Sequence, residues 1–305
     1  TGLDKPELKL DAIDRFCREK IRNPFWTNSG VSAEERKNFK PNENPGATLK
    51  QKMGTGRDIN YLFVALAQAS GLDARVARVP DRGRWFFNPN YPSTHFIPGE
   101  SIAVKLAEDK WKFHDPGTPF LPPGAIRWQE EGVSALITDP KDGFFVNTPE
   151  TPATATVRKR RATLKLLDDG AVEGSVQYEY TGHAGVDQKR RLEDMSETER
   201  ADDWKDGLVS RLSTADVTGI KVGNVLDHSK PVQVSANISV PGFATRTGKR
   251  ILIQPAFFQR NVGALFPSNT REHHIYFNYG YTEDDEVTIE LPEGWTPDHL
   301  RDNRL

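Results

Sequence analysis

The sequence predicts an α+β chain, with helices packed on an antiparallel sheet and an antiparallel β-sandwich behind it. Three observations carry this. Apolar residues recur at helical spacing early in the chain, strand-like runs take over beyond Gly71, and a hairpin signal at Asp168-Asp169-Gly170 opens a second half made of short strands. At 305 residues the chain is long enough for two domains, and each could bury a core. The extended, proline-containing run Thr148-Pro149 and Thr151-Pro152 places the boundary near residue 150, giving domains 1–150 and 151–305.

The first element is a helix over Leu8–Ile21, where Leu10, Ile13, Cys17 and Ile21 share one face and Phe16 flanks it. Cys17 is the single cysteine, so no internal disulfide is possible. In such a stripe a thiol behaves as a small buried hydrophobe. A polar loop follows, and Ser32 with Glu35 forms a capping-box pattern for a short helix. Lys40–Gly46 is a turn-rich connector and Ala47–Lys52 a further helical turn or two. A strongly apolar helix then runs from Ile59 to Ser70 and stops at Gly71, with strands predicted at Leu72–Val79, Ser101–Leu106 and Lys110–His114. The loop Arg82–Glu100 is long and rich in proline, asparagine and aromatic residues, and loops of that kind are often functional.

The segment Gly54-Thr55-Gly56-Arg57-Asp58, the apolar helix behind it and Gly71-Leu72-Asp73-Ala74-Arg75 resemble the nucleophile segment of bacterial transglutaminase-like proteins, which have a papain-like core. The resemblance implies Gly-x-Cys-x-Asp at the helix start, with a cysteine where this chain has Gly56. A cysteine there would have its pKa lowered by the helix N-terminus and become a thiolate, and acyl transfer needs that thiolate with a histidine base and an orienting carboxylate. Glycine can do neither. The family's aspartate corresponds to Asp115 in His114-Asp115-Pro116-Gly117, whereas the histidine slot falls within Gly99, Glu100 and Ser101. His95 lies upstream, across Pro98-Gly99, and would reach the slot only if the loop folded back. The resemblance therefore implies a pseudoenzyme with vestigial triad positions Gly56, Ser101 and Asp115. Because the histidine is missing as well, Gly56 does not read as one engineered silencing change.

Past residue 150, strands are predicted at Ala155–Leu167, Ala171–Thr181, Asp216–Val225, Val232–Val240, Arg250–Ile253, Glu272–Tyr279 and Glu286–Leu291, with a charged helical insertion over Asp187–Leu212. Many short strands with polar turns argue for a sandwich. The hairpin, Arg271 entering a strand and the closing Ile289-Glu290-Leu291-Pro292-Glu293-Gly294 also resemble the C-terminal part of those bacterial proteins. The basic run Arg158-Lys159-Arg160-Arg161 lies inside a strand, so its side chains alternate between faces and form no nucleic-acid patch.

Net charge is −2, which points to neither a nucleic-acid surface nor a strongly acidic partner. No apolar run approaches the roughly 20 residues that cross a bilayer. His273-His274 point to opposite faces of a strand, and with no thiolate pair no metal site is expected. Gly54-Thr55-Gly56 lacks the lysine of a phosphate loop, and Asp168-Asp169-Gly170 is too short for a calcium loop. No cofactor is expected. The chain opens on Thr1 and reads as an excised piece, and the resemblance implies a further β-rich domain before the core, with export to the periplasm or cell surface.

Two functions follow. One is a non-catalytic transglutaminase-like module with a binding or scaffold role, its groove gripping an extended peptide or glycan and lined by Thr55, Arg57, Trp85, Phe86, Tyr91 and His95. The other is a cysteine-independent hydrolase or acyl transferase built on Asp115, using Ser101 with His95 or His114 as partners.

Overall fold

The computed structural model describes residues 5–27, 29–91, 93–108 and 110–298. It is a mixed α+β structure in which the chain forms two compact units. The first comprises residues 1–156, 226–230 and 276–281, and the second comprises 157–225, 231–275 and 282–305.

Four helices open the first unit: α1 (Pro6–Lys20), α2 (Ala33–Asn38), α3 (Pro45–Gln51) and α4 (Gly56–Ala69). Each start has a local cause. Pro6 and Pro45 sit in the first turns of α1 and α3, where the missing N–H is no loss. Ser32 and Glu35 form a capping box on α2. Thr55 does the same for α4 with Asp58, whose carboxylate accepts the Thr55 N–H at 2.8 Å. The Gly-x-Gly-x-Asp run thus has a helix-capping explanation of its own.

Five antiparallel strands follow: β1 (Ala74–Val79), β2 (Gly99–Ala107), β3 (Lys110–His114), β4 (Ser134–Ile137) and β5 (Phe144–Asn147), in the spatial order β3-β2-β1-β4-β5. Strand β5, just ahead of the extended run at residues 148–152, is a paired edge strand. Helices α1 and α4 cover one sheet face, burying Leu10, Cys17, Ile59, Leu62 and Phe63 against Ile102 and Val104. Ala77, Val79, Ala103 and Phe113 face the other way and are covered by Ile126. Cys17 has no exposed surface, and burial pushes its thiol up to about 12.

The second unit holds β6 (Val157–Leu166), β7 (Val172–Tyr180), α5 (Gly182–Leu192), α6 (Glu197–Arg211), β8 (Asp216–Gly223), β9 (Val232–Val240), a ribbon of β10 (Thr245–Thr247) with β11 (Arg250–Leu252), and β12 (Thr282–Glu290). Asp168-Asp169-Gly170 makes the expected turn between β6 and β7, with Gly170 at φ +87° where a side chain would be strained.

Four expectations change here. The sandwich is replaced by one five-stranded sheet, β12-β6-β7-β9-β8, and the separate ribbon. A second sheet is not needed, because Leu208 and Leu212 from the α6 region, with Phe257 and Phe258, bury the apolar face. The sheet is also mixed, since β12 runs parallel to β6. Finally, Glu272–Tyr279 forms no strand, and the helical insertion is two helices broken before the Ser196 capping box.

The parallel pairing of β12 with β6 has a visible cause. Arg158, Lys159, Arg160 and Arg161 stand in register with Glu283, Asp284, Asp285 and Glu286. Arg160 is the strongest member: it grips Asp285 with two bonds at 2.6 and 2.8 Å, reaches Glu283 at 3.2 Å and lies over the Phe258 ring. Arg161 meets Glu286 at 2.9 Å from a half-exposed position. Charge-assisted bidentate bonds near an apolar surface outweigh exposed pairs. Arg160→Ala is therefore expected to cost roughly 1–3 kcal/mol in urea unfolding, and Arg161→Ala less than about 1 kcal/mol. Equal losses would show that the register is not held by Arg160.

Candidate functional site

The first turn of α4 and the loop that follows β3 meet backbone to backbone. A Cβ built on Gly56 would lie 2.6 Å from the Gly117 carbonyl oxygen, and one on Gly117 would lie 2.1 Å from the Gly56 carbonyl oxygen. Real Cβ atoms do not approach so closely, so this contact requires glycine on both sides. The space beside each glycine is filled by the other's main chain.

Asn60, one turn along α4, locks the contact. Its amide donates to Asp115 Oδ1 at 2.9 Å, and its carbonyl oxygen accepts the Gly117 N–H at 2.8 Å. Asp115 is buried, its second oxygen 4.0 Å from Arg127 Nε, and Arg18 donates to its main-chain oxygen at 3.3 Å. The partner of this carboxylate is thus an amide and a guanidinium.

Arg127 in turn pairs with Glu130, which sits in a single 3-10 turn at Trp128–Glu130 and is fully buried. Burial pushes the Glu130 carboxyl up to about 7, with the Asp115 charge adding to the rise and Arg127 opposing it. One Glu130 oxygen has no hydrogen-bond partner. A Cβ on Gly99 would lie 2.8 Å from Val79 Cγ2 and 3.0 Å from the Val79 carbonyl oxygen, with the other Glu130 oxygen at 3.2 Å.

The remaining slot residues have other work. Ser101 is buried and its hydroxyl donates to the His114 carbonyl oxygen at 3.1 Å, tying β2 to β3. Glu100 faces the opposite side, where it pairs with Arg78 and, at 3.0 Å, with Arg57. Arg57 also donates to the Tyr61 hydroxyl at 2.8 Å. Thr55 is spent on the helix cap.

His114 points away from Asp115, onto the helical face. Its ring packs on Phe63 with centroids 5.0 Å apart, and Nδ1 lies 3.7 Å from Asp14 Oδ2, beyond hydrogen-bond length. Burial is the main reason the imidazole is held below its ordinary pKa, with Asp14 pulling the other way. Asp14 itself would be raised by burial, but His114 and Arg18, 2.5 Å away, outweigh that and hold it low.

The aromatic loop forms its own cluster. Trp85 and His95 stack at 5.6 Å, and the Trp85 indole donates to the Phe96 carbonyl at 2.9 Å. Phe86 and Tyr91 are exposed, Phe86 contacting Tyr276 edge-on. Nearby, Arg82 is clamped between the Trp128 carbonyl at 2.7 Å and the Tyr276 hydroxyl at 3.0 Å. Among the described residues, no group of three or more His, Cys, Asp or Glu is placed to hold a metal ion, and no helix is long and apolar enough to cross a membrane.

Sequence reasoning singled out Gly56 and Asp115; the structure places Gly56 against Gly117 and bonds Asp115 to Asn60, and the reasoning missed Asn60, Arg127, Glu130, Asp14 and Arg18. Two of these left a signal: Asn60 interrupts the apolar run of α4, and Asp14 stands on the core stripe of α1 between Leu10 and Cys17.

A family described as "Domain of Unknown Function with solved-structure structure (DUF3858)" matches residues 249–305. No curated protein matches. A solved structure from Parabacteroides distasonis, described as a "putative protease", is similar at 10% identity with a TM-score of 0.37, covering 79% of this chain and 47% of its own. This chain spans about half the length of that protein, and a likeness so low transfers neither fold nor chemistry.

Gly117→Ala is expected to destabilise by roughly 2 kcal/mol or more, and Gly56→Cys by roughly 1–3 kcal/mol, because each forces the backbones apart; an unchanged midpoint in urea would refute the close contact. Glu130 sets a pH dependence. Its carboxyl rises from 4.5 to about 7 on folding, so its contribution is full below pH 4.5 and is lost as pH climbs to about 7. The stability difference between Glu130→Gln and the native chain should therefore shift in favour of the variant across that window, and a flat difference would contradict the buried, raised carboxyl.

Proposed function

We propose that this chain is a catalytically inactive module with a transglutaminase-like, papain-like core, which binds or scaffolds within an exported bacterial protein. The observation that carries the reading is the mutual exclusion at Gly56 and Gly117: neither position tolerates a Cβ. A carboxylate held by Asn60 and Arg127 orients no imidazole. The motif order around α4, β1, β2 and Asp115 supports the ancestry, and the exposed Phe86 and Tyr91 are the candidates for gripping an extended peptide or glycan. Periplasmic or cell-surface placement belongs to the same proposal and rests on the family resemblance.

The test is an amide-hydrolysis and amine-transfer assay on glutamine- and ester-containing substrates, with the native chain and Asp115→Asn side by side. Both are expected to stay at the uncatalysed rate, and Gly56→Cys alone is not expected to restore turnover. Turnover by the native chain that Asp115→Asn abolishes would overturn the reading.

A further inference from the structure

The second unit presents an open sheet face that the unit's own core does not use. Cross-strand register arranges it in rows. One row holds Thr288, Thr163, Ser175, Asn237 and Thr218, all hydroxyl or amide side chains. The row beside it runs from Arg161 on β6 through Gln177 and Ser235 to Lys221 on β8. The sheet curls here, enclosing a concavity of about 380 Å³ lined from four successive strands. Its two cationic ends are three strand spacings apart, roughly 14 Å.

We propose that this concave face binds a linear acidic glycan of the uronate type. The charge pattern selects the ligand. Lys159, Arg161 and Lys221 line the concavity against the single carboxylate of Glu179, which is itself held by Gln233 at 2.8 Å. Lys159 and Arg161 share carboxylates with β12, and Lys221 makes no ion pair among the described residues. Cations at both ends match carboxylates on a ligand several sugar units long, and the amides and hydroxyls between them match sugar hydroxyls as donors and acceptors. An extended peptide is disfavoured, because peptides gain affinity by strand addition at an edge or by filling apolar pockets. This is the concave face of a sheet rather than its edge, and the polar row and its neighbour carry no apolar side chain. The inference is independent of whether the first unit catalyses anything.

The experiment is calorimetric titration of the full chain with an oligogalacturonate, its neutral methyl ester and a glutamate oligopeptide of matched charge, repeated on Lys221→Gln and Arg161→Gln. Only the oligogalacturonate is expected to bind. Each variant should weaken it roughly tenfold, the worth of one charge-assisted hydrogen bond, and added salt should weaken it further. Lys221 lies outside the β6–β12 ladder, so its variant tests the site even if Arg161→Gln loosens β12. No binding of the oligogalacturonate, unchanged affinity in Lys221→Gln, or equal binding of the ester or the peptide would each overturn the proposal.

Discussion

The first unit turns on the meeting of two glycine backbones. Gly56 and Gly117 approach until their carbonyls leave no room for a Cβ, and Asn60 bridges the contact by bonding both Asp115 and the Gly117 amide. Because Gly56 begins α4 and Gly117 follows β3, this contact fixes the helix end against the sheet edge. Everything around it answers to that closeness. Thr55 and Asp58 must close the helix cap without a neighbouring side chain, and Asp115 must find its partners in Asn60 and Arg127.

Two buried ionisable groups bear the cost of this arrangement in opposite ways. His114 is held below its ordinary pKa by burial and packs as an aromatic ring on Phe63, while Asp14 pairs with Arg18. Glu130 stays beside Arg127, with burial pushing its carboxyl up to about 7. Both responses follow from removing charge from water without a full set of hydrogen bonds.

Much of the first unit was legible in the sequence because its signals are local. The α1 and α4 stripes, the Ser32 capping box, Gly71 and the β1–β3 runs need only near neighbours to be read. The second unit was less so. Its apolar face is covered by Phe257 and Phe258 from an irregular segment, and no period marks such a cover. The basic run in β6 could be seen to alternate between faces, but its acidic partners lie 125 residues away. The same applies to the site. Gly56 and Asp115 were found through a motif, while Arg127 and Glu130 come from a proline-rich loop where nothing in spacing distinguishes a buried ion pair from solvated charge.

The parallel docking of β12 also bears on synthesis. β6, β7, β9 and β8 can pair as soon as residue 240 has emerged, yet β6 keeps an open edge until the segment after Tyr281 arrives. During that interval four consecutive cations line an unpaired strand. Nascent chains would then expose a transient unpaired edge whose cations lack the carboxylates that pair them in the finished protein, and β12 acts as a gatekeeper against misassociation as much as a contributor to stability.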